Sequence, residues 1–109
     1  MSPEQQRIAI AEACGYKDVA IRLTEGTIKV MTGFKNLPFD EEVPDYLNDL
    51  NAMHEAVKSL PQNSKPRYFA CLCAVVSGAI SLNGYSEATE AIAAQRAEAF
   101  LRTLNLWTP

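Results

Sequence analysis

Val19-Ala-Ile-Arg-Leu-Thr-Glu-Gly-Thr-Ile-Lys-Val-Met31 is the stretch on which the fold class turns. Val19, Ile21 and Leu23 alternate with Ala20 and Arg22; Ile28 and Val30 alternate with Thr27, Lys29 and Met31. A period of two is the mark of a strand with one buried face. Between the two runs stands Glu25-Gly26, where a glycine accommodates the positive φ of a tight reversal at little cost. The pattern predicts a β-hairpin near residues 18–32. Two strands alone are marginal in water, so helices must cover the apolar face or a third strand must join. Residues 34–39 offer that strand, with Pro38 confining it to an edge.

On both sides of the hairpin the period returns to that of a helix. Ser2, Pro3 and Gln5 form a capping box with proline in the first turn. Ile8, Ile10, Ala11, Ala13 and Cys14 follow, and Gly15 supplies a left-handed stop. After an acidic linker at residues 40–43, Pro44 is expected to open a second helix that Pro61 ends. Its stripe is Tyr46, Leu50, Met53, Val57 and Leu60, widened by Leu47, with Asp45 and Asp49 where the helix dipole favours negative charge. Leu50 and Met53 occupy the centre of the stripe and are expected in the core.

Residues 67–77, between Pro66 and Gly78, are apolar all round, which suits a fully buried helix or a central strand. The excess of Ala, Cys and Leu over β-branched residues favours the helix. Residues 80–85 are rich in turn formers, with Asn83-Gly84, and Ser86 is expected to cap a long last helix reaching about Leu104. Ile92, Ala93, Ala97, Phe100, Leu101 and Leu104 would line its buried side, with Glu98 and Arg102 as an i,i+4 pair and Trp107 folding back on the core. The fold class predicted is α+β, a small antiparallel sheet packed against about four helices, in one domain of 109 residues.

Composition narrows function more than it identifies it. Thirteen acidic residues against ten basic ones leave a net charge of -3, and no Lys/Arg cluster exists to neutralise phosphates, so direct nucleic-acid binding is not expected. The longest apolar run, residues 68–76, is far short of the roughly 20 residues of a membrane span. The amino terminus is polar and lacks a signal core. Cys14, Cys71 and Cys73 show no disulfide spacing and read as reduced thiols, so a cytoplasmic location is expected.

Three stretches carry a resemblance: Arg7-Ile-Ala-Ile-Ala-Glu-Ala-Cys-Gly-Tyr16, Val43-Pro-Asp-Tyr-Leu-Asn-Asp-Leu-Asn-Ala-Met-His-Glu-Ala56 and Ala93-Ala-Gln-Arg-Ala-Glu-Ala-Phe-Leu-Arg-Thr-Leu-Asn-Leu-Trp107. Together they resemble the small phage and prophage proteins grouped as the phage ABA-sandwich domain family. The resemblance implies a small α+β domain with a sheet between helical layers, encoded by a phage and working in a bacterial cytoplasm. It implies no activity for any particular residue. The apolar stretch at residues 68–80 departs from the family's more amphipathic pattern.

Catalytic constellations are weak. His54 is the sole histidine, and a zincin needs another four residues later, where Lys58 stands. It falls at the edge of the second helix's apolar stripe. Cys71 and Cys73 are two apart, so on a helix they point to nearly opposite sides and cannot chelate together. The glycines are scattered singly, without a phosphate loop. No enzyme activity, cofactor or metal is expected.

Charge is the asymmetric feature. From Asn36 to Val57 the chain carries Asp40, Glu41, Glu42, Asp45, Asp49 and Glu55 without one Lys or Arg. One reading is a solvated helix start. The functional one is a recognition face of Asp40, Glu41, Glu42, Asp45, Tyr46, Asn48 and Asp49 for a host protein with a basic surface. The function expected is that of a small phage accessory protein that inhibits or redirects such a partner, as an anti-defence (anti-CRISPR-like) inhibitor would. A different class, a protein sequestering a nucleotide or small-molecule signal, would need Arg22, Lys29, Arg96 and Arg102 to converge on a pocket. A virion component is a third reading and would form stable oligomers; a homodimer is compatible with the sequence.

Overall fold

The computed structural model describes residues 1–24, 28–36, 39–77 and 92–108. Helix α1, Pro3–Ala13, starts on the box read from the sequence: the Ser2 hydroxyl accepts from the Gln5 amide at 3.1 Å, and the Gln5 side chain accepts from the Ser2 amide at 3.0 Å. Gly15 ends it at φ +104°, a conformation that a side chain would strain.

Strands β1 (Lys17–Thr24), β2 (Ile28–Asn36) and β3 (Phe39–Glu42) form an antiparallel sheet in the order β1-β2-β3. The hairpin register pairs Ala20 with Thr32, Ile21 with Met31 and Leu23 with Lys29. The Glu25-Gly26 turn lies outside the described residues. A bulge precedes Ala20, with Asp18 at φ 53°, a conformation that aspartate tolerates better than most residues. Gly33 is required by this packing, because a Cβ there would stand 3.0 Å from Val19 Cγ2 and 3.3 Å from the Lys17 carbonyl oxygen.

The third strand is displaced from its expected place. Residues 34–36 extend β2, and β3 is built from the acidic run that composition marks as linker, with Asp40, Glu41 and Glu42 opposite Phe34, Gly33 and Thr32. An edge strand keeps carboxylates in water on both faces and at its free side, so poor strand formers are tolerated there. Pro38 lies outside the described residues.

Helix α2 is Leu50–Lys58, six residues shorter at its start than Pro44 suggests. Residues 45–48 make a turn instead, in which the Asp49 amide donates to the Asp45 carbonyl at 2.8 Å. Asp49 is the cap, its carboxylate accepting from the Ala52 amide at 3.2 Å. Starting the helix there rotates the stripe: Met53 is fully buried, whereas Leu50 is 43% exposed.

A 3-10 turn, Gln62–Ser64, leads into α3, Lys65–Ser77, so the ambiguous stretch is a helix. It is buried only along Tyr68, Leu72 and Cys73; Phe69, Cys71, Val75 and Val76 are half-buried, as suits an outer helix. Gly78, Asn83-Gly84 and Ser86 lie outside the described residues. The last helix, α4, is Ala93–Thr103; its cap, Ile92, has extended backbone and is 63% exposed rather than buried.

Helix α4 is the centre of the molecule, packed by α1, α2 and α3. Its Ala93, Ala97 and Ala99 let neighbours approach closely, and Phe100 and Leu101 are fully buried between them. Glu98 and Arg102 form the expected pair at 2.9 Å, and Trp107 returns to the core with Arg102 over its ring at 5.3 Å. The terminal ammonium of Met1 donates to the Thr108 carbonyl at 2.8 Å, tying the two ends together.

Candidate acidic recognition face

Alternation along β3 divides its carboxylates. Asp40 and Glu42 share a face with their β2 partners Phe34 and Thr32; Glu41 lies on the opposite face, as do Met31 and the fully buried Val43. All three carboxylates are exposed. On the Asp40 and Glu42 side, Arg22 spans the sheet. It donates to the Thr32 carbonyl and hydroxyl, both at 2.8 Å, pairs with Asp18 at 3.0 Å, and stands 5.9 Å from the Phe34 ring centroid. Its charge is therefore engaged within the β1–β2 layer.

The turn that follows is pinned from α1. Arg7 donates to the carbonyl of Pro44 at 3.0 Å and to that of Val43, fixing the chain between β3 and α2. Asp45 accepts from the Asn48 carboxamide at 3.0 Å, and both line a groove of about 380 Å³ with Pro3, Glu4, Met31 and Leu47. Asp49 and the exposed Leu50 complete the run. The described ion pairs are Asp18–Arg22, Glu55–Lys58 and Glu98–Arg102, so Asp40, Glu41, Glu42, Asp45 and Asp49 make none among the described residues.

Tyr46 does not belong to this face. It is 3% exposed, and burial, then the neighbouring Cys14 and Tyr16, push its hydroxyl well above the usual tyrosine range. Pro44 and Val43 turn the chain inward at this point, so Tyr46 packs in the core while Asp45 and Asn48 stay in water. Leu50 is the residue that sequence reasoning missed. Its place in a four-three spacing hides it, and only recognition of Asp49 as the cap would have moved it to the surface.

The other candidate groups are dispersed. His54 is exposed, beyond the boundary position expected of it, and Cys14, Cys71 and Cys73 form no disulfide among the described residues. Among the described residues no cluster of His, Cys, Asp and Glu could hold a metal ion, and no helix is long and apolar enough to cross a membrane. The four cations required by a sequestering pocket do not converge. Arg22 lies on the sheet, Lys29 lines a small cleft with Ile21 and Met31, Arg102 stacks on Trp107, and Arg96 stands beside Tyr68.

Comparison of the chain with protein-family models, with curated proteins and with solved structures returns no match.

Proposed function

We propose that this is a non-enzymatic accessory protein, of phage origin as the sequence resemblance implies, that binds a basic surface on a host protein and inhibits or redirects it. An anti-defence inhibitor is the kind of protein that fits. The observation that carries this reading is the run of carboxylates from Asp40 to Asp49, exposed on both faces of an edge strand and on a pinned turn with no ion-pair partner among the described residues. Surface charge left unpaired in this way raises the rate of encounter with an oppositely charged partner. Leu50, 43% exposed beside Asp49, supplies an apolar contact of the sort that holds a complex once formed. Arg7 keeps the turn in one conformation, which lowers the ordering cost of binding.

The experiment is paired affinity capture from infected bacterial cells, with wild-type protein and a variant carrying Asp40→Lys, Glu42→Lys and Asp45→Lys as baits. The reading expects a basic host protein recovered by wild type, lost from the variant, and released by added salt. Identical recoveries from the two baits would remove its support.

A further inference from the structure

We infer that β1 is the edge along which two copies of this chain pair, antiparallel about a two-fold axis at Ile21, into one six-stranded sheet. The two edges of the sheet differ in kind. Strand β3 is four residues long and carries three carboxylates, a guarded edge that repels a second copy of itself. Strand β1 is eight residues long and pairs with β2 alone, with no strand on its other side among the described residues. It also carries apolar side chains into water on one face: Ile21 is 44% and Leu23 63% exposed. An open edge with an apolar row is a template for another strand.

The sequence of β1 is complementary to itself in one register. With the axis at Ile21, Ile21 faces Ile21 of the second copy, Val19 faces its Leu23, and Ala20 faces its Arg22. The apolar row of one strand thus continues through the other, on the face that already holds Met31. Neighbouring registers are worse. An axis at Arg22 sets two guanidinium groups opposite each other, and an axis at Ala20 sets Leu23 against Lys17. The bulge at Asp18 limits the paired stretch to residues 19–23. The interface is isologous, so it closes at two copies. It leaves both β3 edges free, and the dimer would present two acidic faces.

The test uses the purified full-length chain, with sedimentation velocity across a wide range of concentration. The expected result is a reversible monomer–dimer equilibrium that Ile21→Lys with Leu23→Lys weakens by about tenfold or more, about 1.4 kcal/mol. Thermal unfolding of the monomeric species should change little, because both side chains are exposed. Glu42→Lys, on the other edge, should leave dimerisation unchanged. Ile21→Cys should give a disulfide-linked dimer under mild oxidation that wild type, with its three native cysteines, does not. A monomer at every concentration would overturn the inference, as would a dimer indifferent to the lysine substitutions. A dimer sensitive to them that fails to crosslink through Ile21→Cys would overturn the axis.

Discussion

Met53 and Leu50, three residues apart on the same helix, have opposite surroundings, and that contrast gives the sharpest test at the scale of one residue. Met53 is fully buried beneath α2, so Met53→Ala should cost about 2–5 kcal/mol in chemical denaturation. Leu50→Ala should cost far less, within about 0.5 kcal/mol, as for an ordinary surface position. Equal losses would place Leu50 in the core and remove it from the recognition face. The sequence ranks the two alike because both obey the helical spacing. Only the position of the cap separates them, and Asp45 competes with Asp49 for that role. Tyr46 was illegible for a related reason: it belongs to the turn before α2, where helical periodicity has no meaning. Asp40, Glu41, Glu42, Asp45, Asn48 and Asp49, by contrast, are exposed as their charge or polarity leads one to expect.

Among the elements, those set by local chemistry were legible and those set by distant pairing were not. The Ser2 to Gln5 box, the Gly15 stop and the period-two runs around Ile21 and Val30 act within a few residues, and each is found in place. Strand β3 exists because β2 presents a free ladder to residues 39–42, and nothing in Phe-Asp-Glu-Glu announces it. The start of α4 at Ala93 does have a local mark, the Ile92 amide donating to the Gln95 side chain at 3.1 Å, which the reading of a cap at Ser86 passes over. Helix α2 provides the prediction at this scale. Asp49→Ala removes the side-chain acceptor of the Ala52 amide and should cost about 1 kcal/mol. Asp45→Ala, outside the helix, should cost less. The opposite order, read by thermal unfolding of the two variants, would mean that the helix starts at Pro44. Asp49 is for this reason a poor choice for charge reversal, because its loss would mix folding with binding.

The whole molecule should respond to alkaline pH through its buried tyrosines. Tyr46 and Tyr68 are 3% and 6% exposed, and burial raises the pKa of both, as it does for Tyr16. In the unfolded chain they ionise near the ordinary value of about 10. The folded state then holds more protons than the unfolded one above that pH, so stability is full below it and falls as pH rises. Each buried tyrosine contributes up to about 1.4 kcal/mol per pH unit to the fall. Denaturation midpoints should be flat toward neutrality and drop above about pH 10, and Tyr68→Phe should flatten the drop. A midpoint unchanged through that range would show the tyrosines to be solvated. The core these residues share with α4 lies apart from the exposed carboxylates of Asp40, Glu41, Glu42 and Asp45, whereas Asp49 also caps α2. The central claim, that the acidic edge recognises a basic partner, is tested most directly by association kinetics of the captured partner with wild type and the Asp40→Lys, Glu42→Lys, Asp45→Lys variant. The account predicts wild-type association that slows with added salt as charges are screened beyond about 8–10 Å, and a variant of nearly unchanged stability whose association is much slower. Equal rates with equal salt dependence in the two proteins would contradict it.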